Sequence, residues 1–482
     1  MRKTAVLAVL AALLAVACGD SDPVWQPVPP PLQVTDVVTV GPITGFGSVA
    51  ANGIVFGTDS ASVLIDGEAA TLDDLRVGMI VSILGTVDAQ GVANASQIRF
   101  GIDAEGPITN LDAANGTFMI LGKTVIVDEM TVFEGAELGT LGMGNVVRVS
   151  GQVRSQDRIQ ATHIHRIANA YQAGMHMHVK GEIEDLDVGN QRFRLGGQIC
   201  DYSGAALELG GADIANGLYV EVTSTTPMGA GDMILDRIQA RDRDRDRDQL
   251  CSSDCDFELD GYVTSFTSTT DFEVDGQSVT TTASTEYVNG TVDTLALDVR
   301  LSVDGALNDD GVLVADRIVF HLPSLIEIEA SVDALDVSAG TIEVLGISVM
   351  TNESTLFRDH GAAGIPAFGM DDVAVGDWLE IRAYLDAGAV IATRVERDDA
   401  DDSVTLKAPV EVVASPNVTL LGIVATSDDD TVFQNAAFEV IDAETFFGLV
   451  EVGDIVKTEG TYDGAAILAE EMFLRECQEK CL

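Results

Sequence analysis

Basic residues are what this sequence has least of for its size. Across 482 residues, 27 Lys and Arg stand against 77 Asp and Glu, a formal net charge of −50. Phosphate backbones repel such a chain, so no nucleic-acid partner is expected. The acidic excess suits solubility outside the cytoplasm, or the collection of cations. Linear signatures of catalysis are missing as well: no G-x-S-x-G, H-E-x-x-H or P-loop pattern occurs. His321 and His360 stand alone in the sequence, and carboxylates are too common for adjacent pairs to point to glycosidase chemistry. The expectation is a protein that is not an enzyme, with an envelope hydrolase lacking a linear motif as the least favoured alternative. Beyond the N-terminus no apolar run is long enough to span a bilayer. Helical periodicity is nearly absent and aromatics make up 5% of the chain. Val, Ile, Leu, Thr and Gly dominate instead, a composition suited to short strands and tight turns.

The N-terminus reads as an export address. Arg2 and Lys3 precede a short apolar stretch, residues 5–17, that ends at Cys18. The run Leu14, Ala15, Val16, Ala17, Cys18 resembles a bacterial lipobox, with Ala15 where Leu is usual. That resemblance implies lipidation of Cys18. Gly19 in the next place implies the outer membrane rather than the inner one, so a cell-envelope lipoprotein facing the periplasm or the surface is expected. The Pro-rich segment after it reads as an extended spacer.

The body is repetitive. Residues 117–133 (TFMILGKTVIVDEMTVF), 341–357 (TIEVLGISVMTNESTLF) and 417–433 (NVTLLGIVATSDDDTVF) share length, a Gly at the sixth place, a Thr at the fifteenth and a closing Phe. A fourth copy covers 271–287. Each is preceded by Gly or Ala with an apolar residue two positions on: Gly41/Ile43, Gly106/Ile108, Gly181/Ile183, Gly261/Val263, Ala330/Val332 and Ala408/Val410. Each is followed by a turn Gly before a strand (Gly78, Gly144, Gly217, Gly376, Gly453, with Asp298 in the fourth unit). An Ala-x-x-apolar pattern comes next, at Ala95, Ala161, Ala315, Ala392 and Ala469, with Asp236 in the third unit. Period-two alternation and hairpin glycines give about five short strands per unit. In this reading Gly346 serves a hairpin turn and Phe357 closes the core.

A five-stranded unit of this size escapes open edges best by closing, so the fold expected is all-β: tandem small OB-like barrels strung as beads, with small β-sandwiches as the alternative. Boundaries are read at 1–17 (signal peptide), 18–38 (lipidated Cys and spacer), 39–102, 103–170, 177–248, 256–322, 325–398 and 404–476 (six β repeats), and 477–482 (Cys-containing tail). The segment 41–56 (GPITGFGSVAANGIVF) and the turn Leu75, Arg76, Val77, Gly78 make the chain resemble the bacterial domain of unknown function 5666 family over nearly its whole mature length. That family carries no established activity, so the resemblance implies no catalytic residue.

Four of the six histidines fall in one stretch, 162–181. His163 and His165 share one strand face, as do His176 and His178. If those strands lie together the four imidazoles converge, a set suited to Zn²⁺, Cu²⁺ or Ni²⁺. No cofactor is otherwise expected. Residues 240–250 (ARDRDRDRDQL) alternate Asp as a calcium loop does, but Arg247 and Ser253 stand where Gly and Glu are needed, and the interleaved arginines cancel the charge. The acidic runs 398–402 and 428–430 read as hairpin tips with weak affinity for divalent cations. With Cys18 assigned to lipid, five cysteines remain. In an oxidising compartment Cys477 and Cys481 pair locally; Cys251 pairs with Cys255 and leaves Cys200 free, or Cys200 bonds one of them. The function expected is an envelope-anchored binding or structural module with a protein, polysaccharide or cation as partner. A metal-binding protein using His163, His165, His176 and His178 is the alternative.

Overall fold

The structure, a computed structural model, describes residues 34–475 apart from 47, 129, 156, 227–230, 242–254, 353–354, 362–364, 366–367 and 436–438. Cys18 and most of the spacer, the Asp/Arg alternation from residue 242 on, Cys251, Cys477 and Cys481 lie outside the described residues.

Among the described residues six closed units follow one another. In the fifth, the first strand Ile326–Asp336 pairs antiparallel with the second, Thr341–Val344, which turns into the third, Ile347–Met350. The third and its continuation Leu356–Asp359 run parallel to the fifth strand, Ala389–Asp398. The fourth, Trp378–Asp386, lies between the fifth and the first and closes the barrel. The order first-second-third-fifth-fourth-first recurs in every unit, with first strands at Val34–Gly45, Ala104–Asp112, Met177–Glu182 (continued by Glu184–Asp187), Asp256–Ser268, Ile326–Asp336 and Val404–Ala414. This is a small five-stranded Greek-key barrel of the OB-like kind expected. Between third and fourth strands lies a short 3₁₀ turn in barrels one, two, four and five, and the helix Ala443–Leu449 in the sixth. Among the described residues no helix is long and apolar enough to cross a membrane.

The repeated sequence marks turn out to be contacts with one another. The apolar residue at each repeat start binds the turn before the fourth strand in both directions. The carbonyls of Ile43, Ile108, Ile183, Val263, Val332 and Val410 accept from the amides of Gly78, Gly144, Gly217, Asp298, Gly376 and Gly453 at 2.8–2.9 Å. Their own amides donate to the residue after each. The Thr of the seventeen-residue segment reaches the Ala of the Ala-x-x-apolar pattern. Thr131, Thr285, Thr355 and Thr431 donate through Oγ1 to the carbonyls of Ala161, Ala315, Ala392 and Ala469 at 2.7–2.8 Å. Each bond ties a bulged third strand to the fifth. The segment's Gly is the second residue of a two-residue hairpin with positive φ at both places, 53° at Leu345 and 72° at Gly346. Leucine is a strained choice there, and its return is burial: Leu345 joins the core, and Leu121 in barrel two packs over Gly106, where a Cβ would lie 3.1 Å from Leu121 Cγ.

Phe357 does not close its barrel as expected. It is half-buried and stacks edge-on to the fully buried Phe368, 6.5 Å away, because the chain entering the fourth strand covers that end. Its counterpart Phe433 is buried against Phe446 of the helix, at 5.0 Å. The spacer is also shorter than read. The first strand starts at Val34, and Val37 and Val38 are core residues. The run 428–430 is an exposed bulge within the third strand of barrel six rather than a hairpin tip, and 398–402 leads from barrel five to barrel six.

The barrels are joined by hydrogen bonds between strands. Every first strand pairs with another first strand. Residues 37–40 run parallel to 256–259 (barrels one and four), His178 and Val179 pair antiparallel with Glu105 and Ala104 (three and two), and Glu327–Glu329 pair antiparallel with Lys407–Thr405 (five and six). The second strand pairs only the C-terminal half of the first, so the N-terminal half has one edge unbonded by its own barrel. The neighbouring barrel covers it.

Thr355→Val keeps shape but strands the buried Ala392 carbonyl, and is expected to cost about 1–3 kcal/mol, read by denaturant unfolding and by faster hydrogen exchange in Ala389–Asp398. Gly460→Ala is expected to cost more, because a Cβ there would fall inside the van der Waals shell of the Leu468 carbonyl, which does not move without a change of register.

Candidate functional site

The four histidines do not converge. Registers across barrels two and three place His165, Arg148, Glu105 and His178 in one cross-strand row, so His165 and His178 are three strand spacings apart, roughly 14 Å. Arg148 and Glu105 fill the gap and pair with each other at 2.7 Å. His176 precedes the strand and is exposed. Two separate groups result.

In the first group, His163 Nε2 and His165 Nδ1 each lie 3.6 Å from Glu134 Oε2, while Arg76 of barrel one holds Oε1 at 3.2 Å. Arg76 belongs to the Leu75–Gly78 turn, which packs against the fifth strand of barrel two: a Cβ on Gly78 would strike the Thr162 carbonyl. The group therefore fastens barrel one to barrel two.

In the second group, His178 meets Asp66 of barrel one and Glu221 of barrel three, with one ligand atom from each within 4.8 Å of the others. His178 Nε2 is buried with no hydrogen-bond partner and lies 3.7 Å from Glu221 Oε2. Burial pushes the imidazoles of His163 and His178 down to about 3, helped by the charges of His165 and Arg358 in one case and of Lys180 in the other. Both are therefore neutral at pH 7, the form that binds a metal. The donors fit a divalent cation in kind, but the surroundings oppose it. Arg241 lies 2.7 Å and Arg237 3.5 Å from Glu221, and Lys180 lies 3.9 Å from Asp66. These cations of the chain already occupy both carboxylates, so a further dication would have to displace them. Asp66 and Glu221 carry no linear signal toward His178: they sit 112 residues before it and 43 after it in the sequence.

A second constellation bears on the hydrolase alternative. His321, isolated in the sequence, lies 2.8 Å from Ser302 Oγ and 2.9 Å from Asp260 Oδ2. Both approach the same ring nitrogen, Nε2. A nucleophilic triad needs the serine and the carboxylate on opposite nitrogens. Ser302 donates directly to Asp260 at 3.2 Å, and Arg300 lies 3.1 Å from the same carboxylate. Burial raises the Asp260 carboxyl, but Arg300 and His321 outweigh it and hold the group well below the usual carboxylate range. Gln152 of barrel two also donates to Asp260, so this group locks barrel two to barrel four. Arg154 of barrel two does the same through both oxygens of Asp298, with its guanidinium 4.8 Å from the Tyr262 ring. His360, the other isolated histidine, lies 2.6 Å from Glu396, which Arg358 and Arg394 also hold.

Cys200 is a free thiol, fully buried in barrel three, and burial with Asp232 nearby pushes it up to about 12. The alternative in which Cys200 forms a disulfide is thereby corrected: its side chain points into the core beside Phe193 and Met233. Cys255 is buried at the head of the first strand of barrel four.

The buried histidines set a pH dependence. Their folded values lie below the unfolded one, so the stability they allow is complete above about pH 6.5 and is lost as pH falls toward about 3. At about pH 5.5 each is expected to cost about 1 kcal/mol relative to pH 8. Thermal melts of the native chain should fall across that range, and those of a His163→Gln, His178→Gln variant should fall less.

Comparison with known proteins adds three findings. A family model described as Domain of unknown function (DUF5666) matches residues 32–99, 105–165, 260–319 and 329–396, more than half of the chain. These segments fall on barrels one, two, four and five. No curated protein matches. A solved structure titled drosophila Unr CSD456 aligns with 46% of this chain and 97% of its own at 13% identity, with a TM-score of 0.12, too low to carry an argument.

Proposed function

We propose that this chain, which belongs to the family described as Domain of unknown function (DUF5666), is an envelope-anchored lipoprotein acting as a non-enzymatic binding or structural module. The observation that carries the reading is the use made of buried charge. Wherever acidic side chains are buried between barrels, as at Glu221, Asp260 and Glu327, cations of the chain itself surround them. Such groups spend their chemistry on holding barrels in register and leave repeated outer surfaces as the part that meets a partner. The basic N-terminus, the apolar stretch ending at Cys18 and Gly19 support lipidation and an outer-membrane address. The acidic surface favours a protein, polysaccharide or cation over nucleic acid.

One observation favours a second reading, metal binding: the buried, unpartnered His178 Nε2 beside two carboxylates. Stoichiometric Zn²⁺ in the purified protein, lost in His178→Ala, would establish it over the scaffold reading.

In cells, Cys18→Ser is expected to abolish labelling by a fatty-acid analogue and move the protein from the membrane to the soluble fraction. Crosslinking of the native chain followed by affinity recovery is expected to return a reproducible envelope partner. Recovery of the chain alone, with unchanged fractionation of the variant, would overturn both the anchor and the module.

A further inference from the structure

The turn before the fourth strand is docked in barrel one and undocked in several others. In barrel one it is the run Leu75, Arg76, Val77, Gly78, seated on barrel two. A Cβ on Gly78 would lie 2.4 Å from the Thr162 carbonyl and 3.1 Å from Val132 Cγ2. Arg76 meets Glu134 at 3.2 Å. Val77 is half-buried, and Gly78 and Val132 are buried. Barrels two, four, five and six also place an apolar residue where Val77 stands, and there it faces solvent: Met143, Leu297, Val375 and Val452 are 59–70% exposed. Gly144, Gly376 and Gly453 have open space where Gly78 meets barrel two.

The face that receives the turn recurs as well. Val132 holds the sixteenth place of the seventeen-residue segment. That place is Glu286 in barrel four and the buried Leu356 in barrel five, but in barrel six it is Val432, 37% exposed. Thr162 bulges out of its strand between Ala161 and His163, and Glu470 bulges in the same way between Ala469 and Glu471. Leu468, two residues before Glu470, is also exposed and extends the apolar face. Barrel six therefore carries both an undocked turn and an undocked face. The polar pair beside the contact is replaced on both sides together. Glu451 stands in the turn at the place of Arg76, and Gln434 stands on the face at the place of Glu134. An amide donates to a carboxylate, so this exchange keeps the two sides complementary. The other exposed turns have Gly142, Ala296 and Ala374 at that place, with no side chain that could bond Gln434.

We propose that barrel six is a self-association surface: its turn 450–453 seats on the Val432, Leu468 and Glu470 face of barrel six in a second copy of this chain, as the turn of barrel one seats on barrel two. Val452 makes the apolar contact, Gly453 allows the close approach to the Glu470 carbonyl, and Glu451 accepts from Gln434. Two turns seated reciprocally give a closed dimer; one turn per contact gives a chain of copies. The contact is small, so affinity of about 1–100 µM is expected. A formal charge of −50 sets two copies against each other. Association therefore needs salt near the physiological value, where exposed charges more than about 8 Å apart are largely screened. It needs neither a lipid anchor nor an envelope partner, and stands or falls independently of the envelope role.

Sedimentation velocity of the intact chain, at about 0.15 M salt and up to about 100 µM, reads the association. A concentration-dependent species of at least twice the chain mass is expected. Val452→Asp and Val432→Asp each put a charge into the contact while lying outside the core, and each is expected to weaken association at least about tenfold. Gln434→Glu sets a second carboxylate against Glu451 and is expected to weaken it too. Adding Glu451→Arg to that variant recreates the Arg76 and Glu134 pair and is expected to restore association, which an effect on folding alone would not do. A single-chain mass at every concentration, association untouched by Val452→Asp, or no rescue by Glu451→Arg would overturn self-association. A photo-crosslinker at residue 452 that reaches a different envelope protein instead of a second copy would give the turn another occupant and overturn it equally.

Discussion

The structure depends on how the first strand of each barrel is bonded. A five-stranded barrel of this order bends its first strand so that one half joins the fourth strand and the other joins the second. The half next to the fourth strand keeps a row of free amides and carbonyls on its outer side, and such an edge invites another strand. In all six barrels the strand it finds is another first strand of the same chain. The barrels are therefore not isolated beads. They form three joined pairs, and the sheets run on through the joints.

Joining barrels along first strands brings side chains of the outer faces together, and those faces carry charge. Each joint then needs its charges matched within the chain. Glu105 with Arg148 and Glu327 with Arg382 and Lys457 are the result; Asp260 with Arg300 and Gln152 does the same where barrel two meets barrel four. A chain with 27 basic residues against 77 acidic ones has few cations to place, and many of them stand at these joints. Most of the remaining acidic side chains among the described residues lie outside the core.

The same accounting explains why candidate chemistry seen from the sequence became structural chemistry. Two H-x-H pairs near each other in sequence belong to different barrels, and Arg148 and Glu105 stand between them in space. Ser302, His321 and Asp260 come within bonding distance, yet share a single ring nitrogen, an arrangement that locks a joint and relays no proton between opposite nitrogens.

The repeat marks in the sequence determined the strand order within a barrel, because each mark is one end of a local bond: Thr355 to Ala392, Gly376 to Val332, Leu345 turning into Gly346. Alternation and turn glycines are short-range constraints, so all-β barrels were legible from residues a few positions apart. The half-buried Phe357 and the strand that starts within the spacer were not, because burial there depends on a covering segment or a neighbouring barrel. Which barrels pair, which carboxylates meet which cations, and that Asp66 and Glu221 flank His178 were decided only by tertiary structure. Those contacts join residues of different barrels, and the pattern of a strand states which face is outward without stating what lies against it.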